Sequence, residues 1–150
     1  MSYIQRIATL EDTSALVPLW KTFAEARSLA DQSMPIIPDF DYERYVAYQL
    51  GKPLSFCFVL EYEEELVGFI SMYLYDEAPP PNLPSDLEVL ENPFKPRRVG
   101  AVLGLYVQEL HRKLETIKLL IDVATKKAES FKITDIDVLG SCVSFMVIED

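Results

Sequence analysis

The chain has 150 residues, 49% hydrophobic and 25% charged, with a formal net charge of −10. That length makes one domain with a sizeable core, of soluble globular composition, and the acidic balance argues against nucleic acid or an anionic membrane as the main partner. No apolar run approaches a membrane span, MSYIQRIATLED carries no apolar signal core, and the two cysteines, Cys57 and Cys142, build no disulfide framework, so the expected compartment is the cytoplasm.

Tyr3 to Ala8 alternates apolar and polar residues and predicts an edge-type first strand. A helix follows from Asp12 or Thr13, after a cap signal that begins at Thr9, with Leu16, Trp20, Phe23 and Arg27 marking its course. Pro18 sits near enough to the start to be tolerated, because the first N–H groups of a helix have no intrahelical acceptor. Pro35 and Pro38 interrupt the pattern. Asp39 or Asp41 then caps a second helix, Tyr42 to Leu50, stopped by Gly51 and Pro53. Its Tyr42, Tyr45 and Tyr48 read as half-buried packing residues with wet hydroxyls rather than as a substrate cleft.

Ser55 to Glu61 and Leu66 to Leu74 predict a β-hairpin around the acidic turn Tyr62 to Glu65, and Gly68 marks a bulge or a close backbone approach. Residues 76–97 hold six of the ten prolines and make a long loop, partly stiffened by polyproline conformation. It ends in Lys95, Arg97 and Arg98, which read as a salt-bridged anchor.

Residues 98–139 organise the rest. Val99 to Val107 is a strand buried on both faces, and Gln108 to Arg112 is a polar corner. Leu114, Ile117, Ile121, Ala124 and Ala128 fall on one helical stripe, and Ile133 to Leu139 is a second strand. A strand, a crossover helix and a strand of these lengths make a βαβ-type unit. His111, the sole histidine, reads as an exposed bystander at a helix start. Cys57 and Cys142 lie in apolar runs and read as buried thiols.

Leu105-Tyr106-Val107, then Arg112, a Lys/Leu-rich helix, a strand ending Asp137-Val138-Leu139, and the earlier Val67-Gly68-Phe69 resemble the GNAT family of N-acetyltransferases. The resemblance spans nearly the whole chain. It implies an α/β fold over residues 1–150, a mixed central sheet flanked by helices and shortened after the fifth strand. It implies acetyl-CoA or another acyl-CoA as donor, with the pantetheine arm at Leu105, Tyr106 and Val107. The pyrophosphate would lie on Arg112, Lys113, Leu114, Glu115, Thr116 and Ile117, where N–H groups at a helix start bind an anion. The family pattern there is Arg/Gln-x-x-Gly-x-Gly/Ala, and Glu115 and Ile117 stand at its two glycine positions. The family's base is a carboxylate where this chain has Leu103 and Gly104. Its acid is a tyrosine beyond the fifth strand, and no tyrosine follows Tyr106. Tyr73, Tyr75 and Asp76, at the end of the hairpin strand, are the substitutes expected to move the protons.

Residues 140–150 suffice for one more strand, Cys142 to Ile148. We therefore expect an uncovered sheet edge and a homodimer that completes the sheet through that edge or the C-terminal tail. Two functions follow. One is a GNAT-type N-acyltransferase acting on a small-molecule or protein amine, with a degraded pyrophosphate loop; the acidic chain suits a cationic acceptor. The alternative is a non-catalytic GNAT-fold binding or protein-interaction module that no longer uses acetyl-CoA.

Overall fold

The computed structural model describes residues 2–77, 93 and 95–138. The elements are β1 (Ile4–Ile7), α1 (Thr13–Ala30), α2 (Tyr42–Leu50), β2 (Ser55–Tyr62), β3 (Glu65–Glu77), β4 (Arg97–Val107), α3 (Leu114–Glu129) and β5 (Asp135–Val138). Short 3-10 turns occupy Leu10–Asp12 and Glu109–His111. The strands form one sheet in the order β1-β2-β3-β4-β5. Neighbours from β1 to β4 are antiparallel, and β5 joins β4 in parallel. This is the expected mixed sheet flanked by helices, with β4-α3-β5 as its crossover unit. The Cys142–Ile148 strand, Cys142 itself, the tail proposed for dimerisation and most of the proline-rich loop lie outside the described residues. No helix among the described residues is long and apolar enough to cross a membrane.

Two layers of helix sandwich the sheet because each helix carries one apolar stripe. In α3, Ile117, Leu120, Ala124 and Ala128 recur at three- and four-residue spacing and pack on Leu60, Ile70, Met72 and Val102. Leu120 is fully buried, so truncation to alanine would cost roughly 2–5 kcal/mol. On the opposite face, Leu16, Leu19, Trp20 and Phe23 of α1 and Val46 of α2 pack on Val59, Phe69 and Tyr106.

The helix starts show which signals acted. Asp41, not Asp39, caps α2: its carboxylate accepts from the Arg44 N–H at 3.0 Å. Asp39 instead takes a left-handed turn conformation, with φ 57°. Because α1 opens at Thr13, Pro18 falls in its second turn. There it removes one intrahelical bond, to the Ser14 carbonyl, so the helix tolerates a proline past its free first turn.

Two one-residue insertions bend the central strands. Leu60 pairs with Gly68 and Glu61 with Leu66, leaving Val67 as an extra residue on β3. Ser71 pairs with Gly104 and Met72 with Val102, leaving Leu103 as an extra residue on β4. Bulges of this kind re-aim side chains and sharpen the local twist. Gly68 is required beside the first, since a Cβ there would lie 2.9 Å from the Tyr106 carbonyl oxygen.

Candidate active site

The β4 bulge is where the site begins. Gly104, directly after it, faces α1, and a Cβ at that position would stand 2.8 Å from Trp20 Cη2. The indole therefore fills the space that a side chain at residue 104 would need. This accounts physically for the lack of a carboxylate there. Leu103 packs against the same cluster and forms the floor of a cleft of about 560 Å³. The walls come from α1 (Trp20, Phe23, Arg27), from the α1–α2 connection (Met34, Ile37) and from α2 (Tyr45).

Tyr42 and Tyr45 thus line the cleft as well as pack, which corrects their assignment to packing alone. Burial pushes the Tyr45 phenol up and does the same to Tyr42, with Glu25 adding to the latter. Tyr48 faces outward, with the Lys52 ammonium 4.3 Å from its ring centroid. Apart from Arg27, Ser28 and Ser33, the lining residues are aromatic or aliphatic, and they spread over two helices, a connection and β4. Their common surface was hidden in sequence, although the Trp20, Phe23 and Arg27 spacing was its signal.

At the other end of β4, Leu105 packs toward α3, while Tyr106 and Val107 are buried on opposite faces. Arg112 donates from Nε to the Val107 carbonyl at 2.9 Å and lies 5.4 Å from the Tyr106 ring centroid. Lys113 is the N-cap position of α3. The buried Thr116 hydroxyl accepts from the Lys113 N–H at 3.1 Å and donates to the His111 carbonyl at 2.5 Å. The first three N–H groups of α3, at Leu114, Glu115 and Thr116, have no intrahelical acceptor. Leu114 is 68% exposed, whereas Ile117 is 9% exposed and turned into the core. Ile117 therefore does not project where an anion would approach, contrary to expectation; Glu115, which is exposed, is the substitution that faces it.

The three expected acid–base residues lie elsewhere along the sheet. Tyr73 and Tyr75 stack with centroids 6.1 Å apart, and Tyr73 is 41% exposed. Neither lines the cleft. Asp76 accepts from Arg98 Nε and Nη2 at 2.8 and 3.2 Å, and that contact holds its carboxyl below the usual carboxylate range. An acid so engaged is a poor base. Arg98 is thus an anchor, as expected of the basic cluster. His111 is no bystander: its Nδ1 is 2.9 Å from the Tyr3 hydroxyl, and its ring lies 4.9 Å from that of Tyr62. Burial pushes the Cys57 thiol up to about 12, so it is an inert packing thiol.

A family model described as the acetyltransferase (GNAT) family matches residues 20–143. No curated protein is significantly similar. Among solved structures, a ribosomal-protein-alanine N-acetyltransferase from Brucella melitensis biovar Abortus is 24% identical with a TM-score of 0.60, over 93% of this chain and 82% of that one. A predicted acetyltransferase from Clostridium acetobutylicum, solved with acetyl-CoA, is 21% identical with a TM-score of 0.64, again over 93% and 82%. A Bacillus halodurans protein, solved as a tetramutant, is 16% identical with a TM-score of 0.70, over 97% of both chains. These likenesses establish the fold, and the family match over most of the sequence establishes more: the chain belongs to the GNAT family of acetyltransferases.

Proposed function

We propose that this chain is a GNAT-type N-acyltransferase that moves an acetyl or other acyl group from acyl-CoA to an amine. The observation that carries the proposal is the meeting of the cleft with Leu103, the one residue bulged out of β4 against β3. An acceptor in the cleft would reach the strand just ahead of Leu105, Tyr106 and Val107, where the thioester would lie. The amine nitrogen attacks the thioester carbonyl carbon, and the oxyanion is held by a backbone N–H of that segment. The C–S bond then breaks, the nitrogen releases its extra proton to solvent and the thiolate takes up one from a phenol, which solvent reprotonates. Tyr73 is the phenol we assign to that proton, since it lies on the same sheet face as Ser71, which binds Gln49 of α2 at 2.7 Å. The pyrophosphate would rest on the first turn of α3.

A second reading has its own support. Glu115 sets a negative charge at that first turn, and Arg112 is engaged with Val107 and Tyr106. Both weaken a phosphate site and favour a binding module that no longer uses acetyl-CoA. Calorimetric titration with acetyl-CoA, with thermal unfolding alongside, decides. Saturable one-site binding with a raised unfolding temperature supports the transferase; no heat and no shift at millimolar ligand leaves the module. We further propose a cytoplasmic protein that dimerises through the sheet edge or tail, an assembly that a stable monomer in sedimentation at micromolar concentration would rule out.

A further inference from the structure

The overall charge of −10 suggests a cationic acceptor, but the cleft has a different local chemistry. Among its described lining residues the sole charged group is a cation, Arg27. Arg27 donates from Nε to the Met34 thioether, a weak acceptor, at 3.4 Å. Asp31 feels the Arg27 field, yet its carboxylate is held by the Ser33 hydroxyl and N–H at 2.7 and 3.0 Å. Glu25, which acts on Tyr42, is not a lining residue.

Apart from Ser28 and Ser33, the remaining walls are aromatic and aliphatic. Trp20 meets Tyr45 edge-on at 5.3 Å, and Phe40 meets Tyr45 at 5.5 Å. Such walls favour a flat apolar body, and among the described lining residues no carboxylate is present to pair with a chain of several ammonium groups. The geometry also supplies a ruler. Trp20 touches the β4 bulge, and Phe23 and Arg27 follow on the same stripe of α1. At 1.5 Å per residue, Arg27 lies about 6 Å beyond Phe23 and about 10 Å beyond Trp20 along the helix.

We infer that the acceptor is a small amine with an apolar, ring-sized body that ends in a carboxylate, the amine directed to Leu103 and the carboxylate to Arg27. This rests on the acyltransferase reading of the same cleft.

Trp20 is the only tryptophan of the chain, so its fluorescence reports occupancy of the cleft without any turnover. The test titrates para-(aminomethyl)benzoate, benzylamine and spermidine, each with and without CoA, into the parent, Arg27→Gln and Arg27→Lys. The expected result is saturable binding of para-(aminomethyl)benzoate about tenfold tighter than benzylamine. Arg27→Gln should erase that margin while leaving benzylamine unchanged, and Arg27→Lys should restore part of it. The inference is overturned if spermidine binds more tightly than the aryl carboxylate, if Arg27→Gln keeps the margin, or if no amine moves the Trp20 signal. A separate titration with acetyl-CoA keeps the two claims apart. Its failure beside intact aryl carboxylate binding would remove the transferase and leave the ligand class of the cleft standing.

Discussion

Gly104 and Trp20 interlock: the indole lies where a Cβ of residue 104 would be, with Phe23 Cε2 and Phe69 Cε2 each only 3.2 Å from the same point. A carboxylate grafted at this position would enter a shell of three aromatic rings. Gly104→Asp should therefore destabilise the fold by roughly 3 kcal/mol or more, through overpacking and an unpaired buried charge, and should not speed acyl transfer. Gly104→Ala should cost about 1–3 kcal/mol. Urea unfolding measures both, and a Gly104→Ala variant as stable as the parent would show that the contact is loose.

The two residues at the family's glycine positions in the α3 turn should behave differently. Glu115 is exposed, so Glu115→Gln should tighten acetyl-CoA several-fold, about 1 kcal/mol for removal of one nearby like charge. Ile117 belongs to the core cluster with Leu120. Ile117→Gly should cost roughly 3 kcal/mol or more of stability and leave affinity unimproved. Calorimetry and urea unfolding on both variants check this; tighter binding by Ile117→Gly at unchanged stability would refute it.

On the proposed acyltransferase reading, the acceptor is expected to arrive already deprotonated. The phenols of Tyr42 and Tyr45 are both raised above 10 by burial, so neither is a phenolate at neutral pH and neither can take the ammonium proton. With a saturating donor, kcat/KM for the amine should rise about tenfold per pH unit until the pKa of the acceptor itself. A plateau near pH 6 would reveal a base within the protein instead.

Much of this architecture was legible because local signals and tertiary packing agreed. The Tyr42–Leu50 helix and the parallel crossover followed from periodicity and caps, whereas the α3 stripe held only in part: Ile117, Ala124 and Ala128 are buried, but Leu114 and Ile121 are exposed and Leu120 takes the core position instead. The cleft did not, because it is assembled from α1, a connection without regular structure and α2, and no spacing rule links Arg27 to Met34 or Leu103 to Phe23. Ile117 was misplaced for a related reason: the motif gives its place in the chain, while the side-chain direction depends on where the helix begins. Strand pairing beyond the hairpin likewise revealed the Leu103 bulge, which a linear reading cannot show.

The hairpin turn is built from residues poorly suited to it. Tyr62 pairs with Glu65, so Glu63 and Glu64 form a two-residue loop, and both have positive φ, 52° and 68°. Two left-handed residues are the geometry that Asn-Gly adopts most readily. Replacing the pair by Asn-Gly should stabilise the protein by about 1 kcal/mol and raise Tm by roughly 2–4 °C. Thermal unfolding monitored by circular dichroism tests it, and an unchanged or lower Tm would contradict the turn geometry.

The N-terminal strand is fastened to α1 by charge. Arg6 donates from Nη1 and Nη2 to the two oxygens of Asp12, each at 2.8 Å, and from Nε to Glu61. Asp12 also accepts from the Thr9 N–H at 2.8 Å. The Arg6 contact holds the Asp12 carboxyl below its usual 3.8. A carboxylate with a depressed native pKa favours the folded state above its unfolded pKa, and that contribution is lost as pH falls through the native value. Asp12→Asn, which keeps the shape and the Thr9 bond, should thus cost about 1–2 kcal/mol near neutral pH. The gap to the parent should begin to narrow below about pH 4, where the unfolded carboxylate takes up a proton, and close only at lower pH, as the native carboxylate is protonated as well. Urea midpoints of both proteins across that range read the difference directly. A gap that stays constant into acid would mean that shape, not the Arg6–Asp12 charge pair, holds β1 to the start of α1.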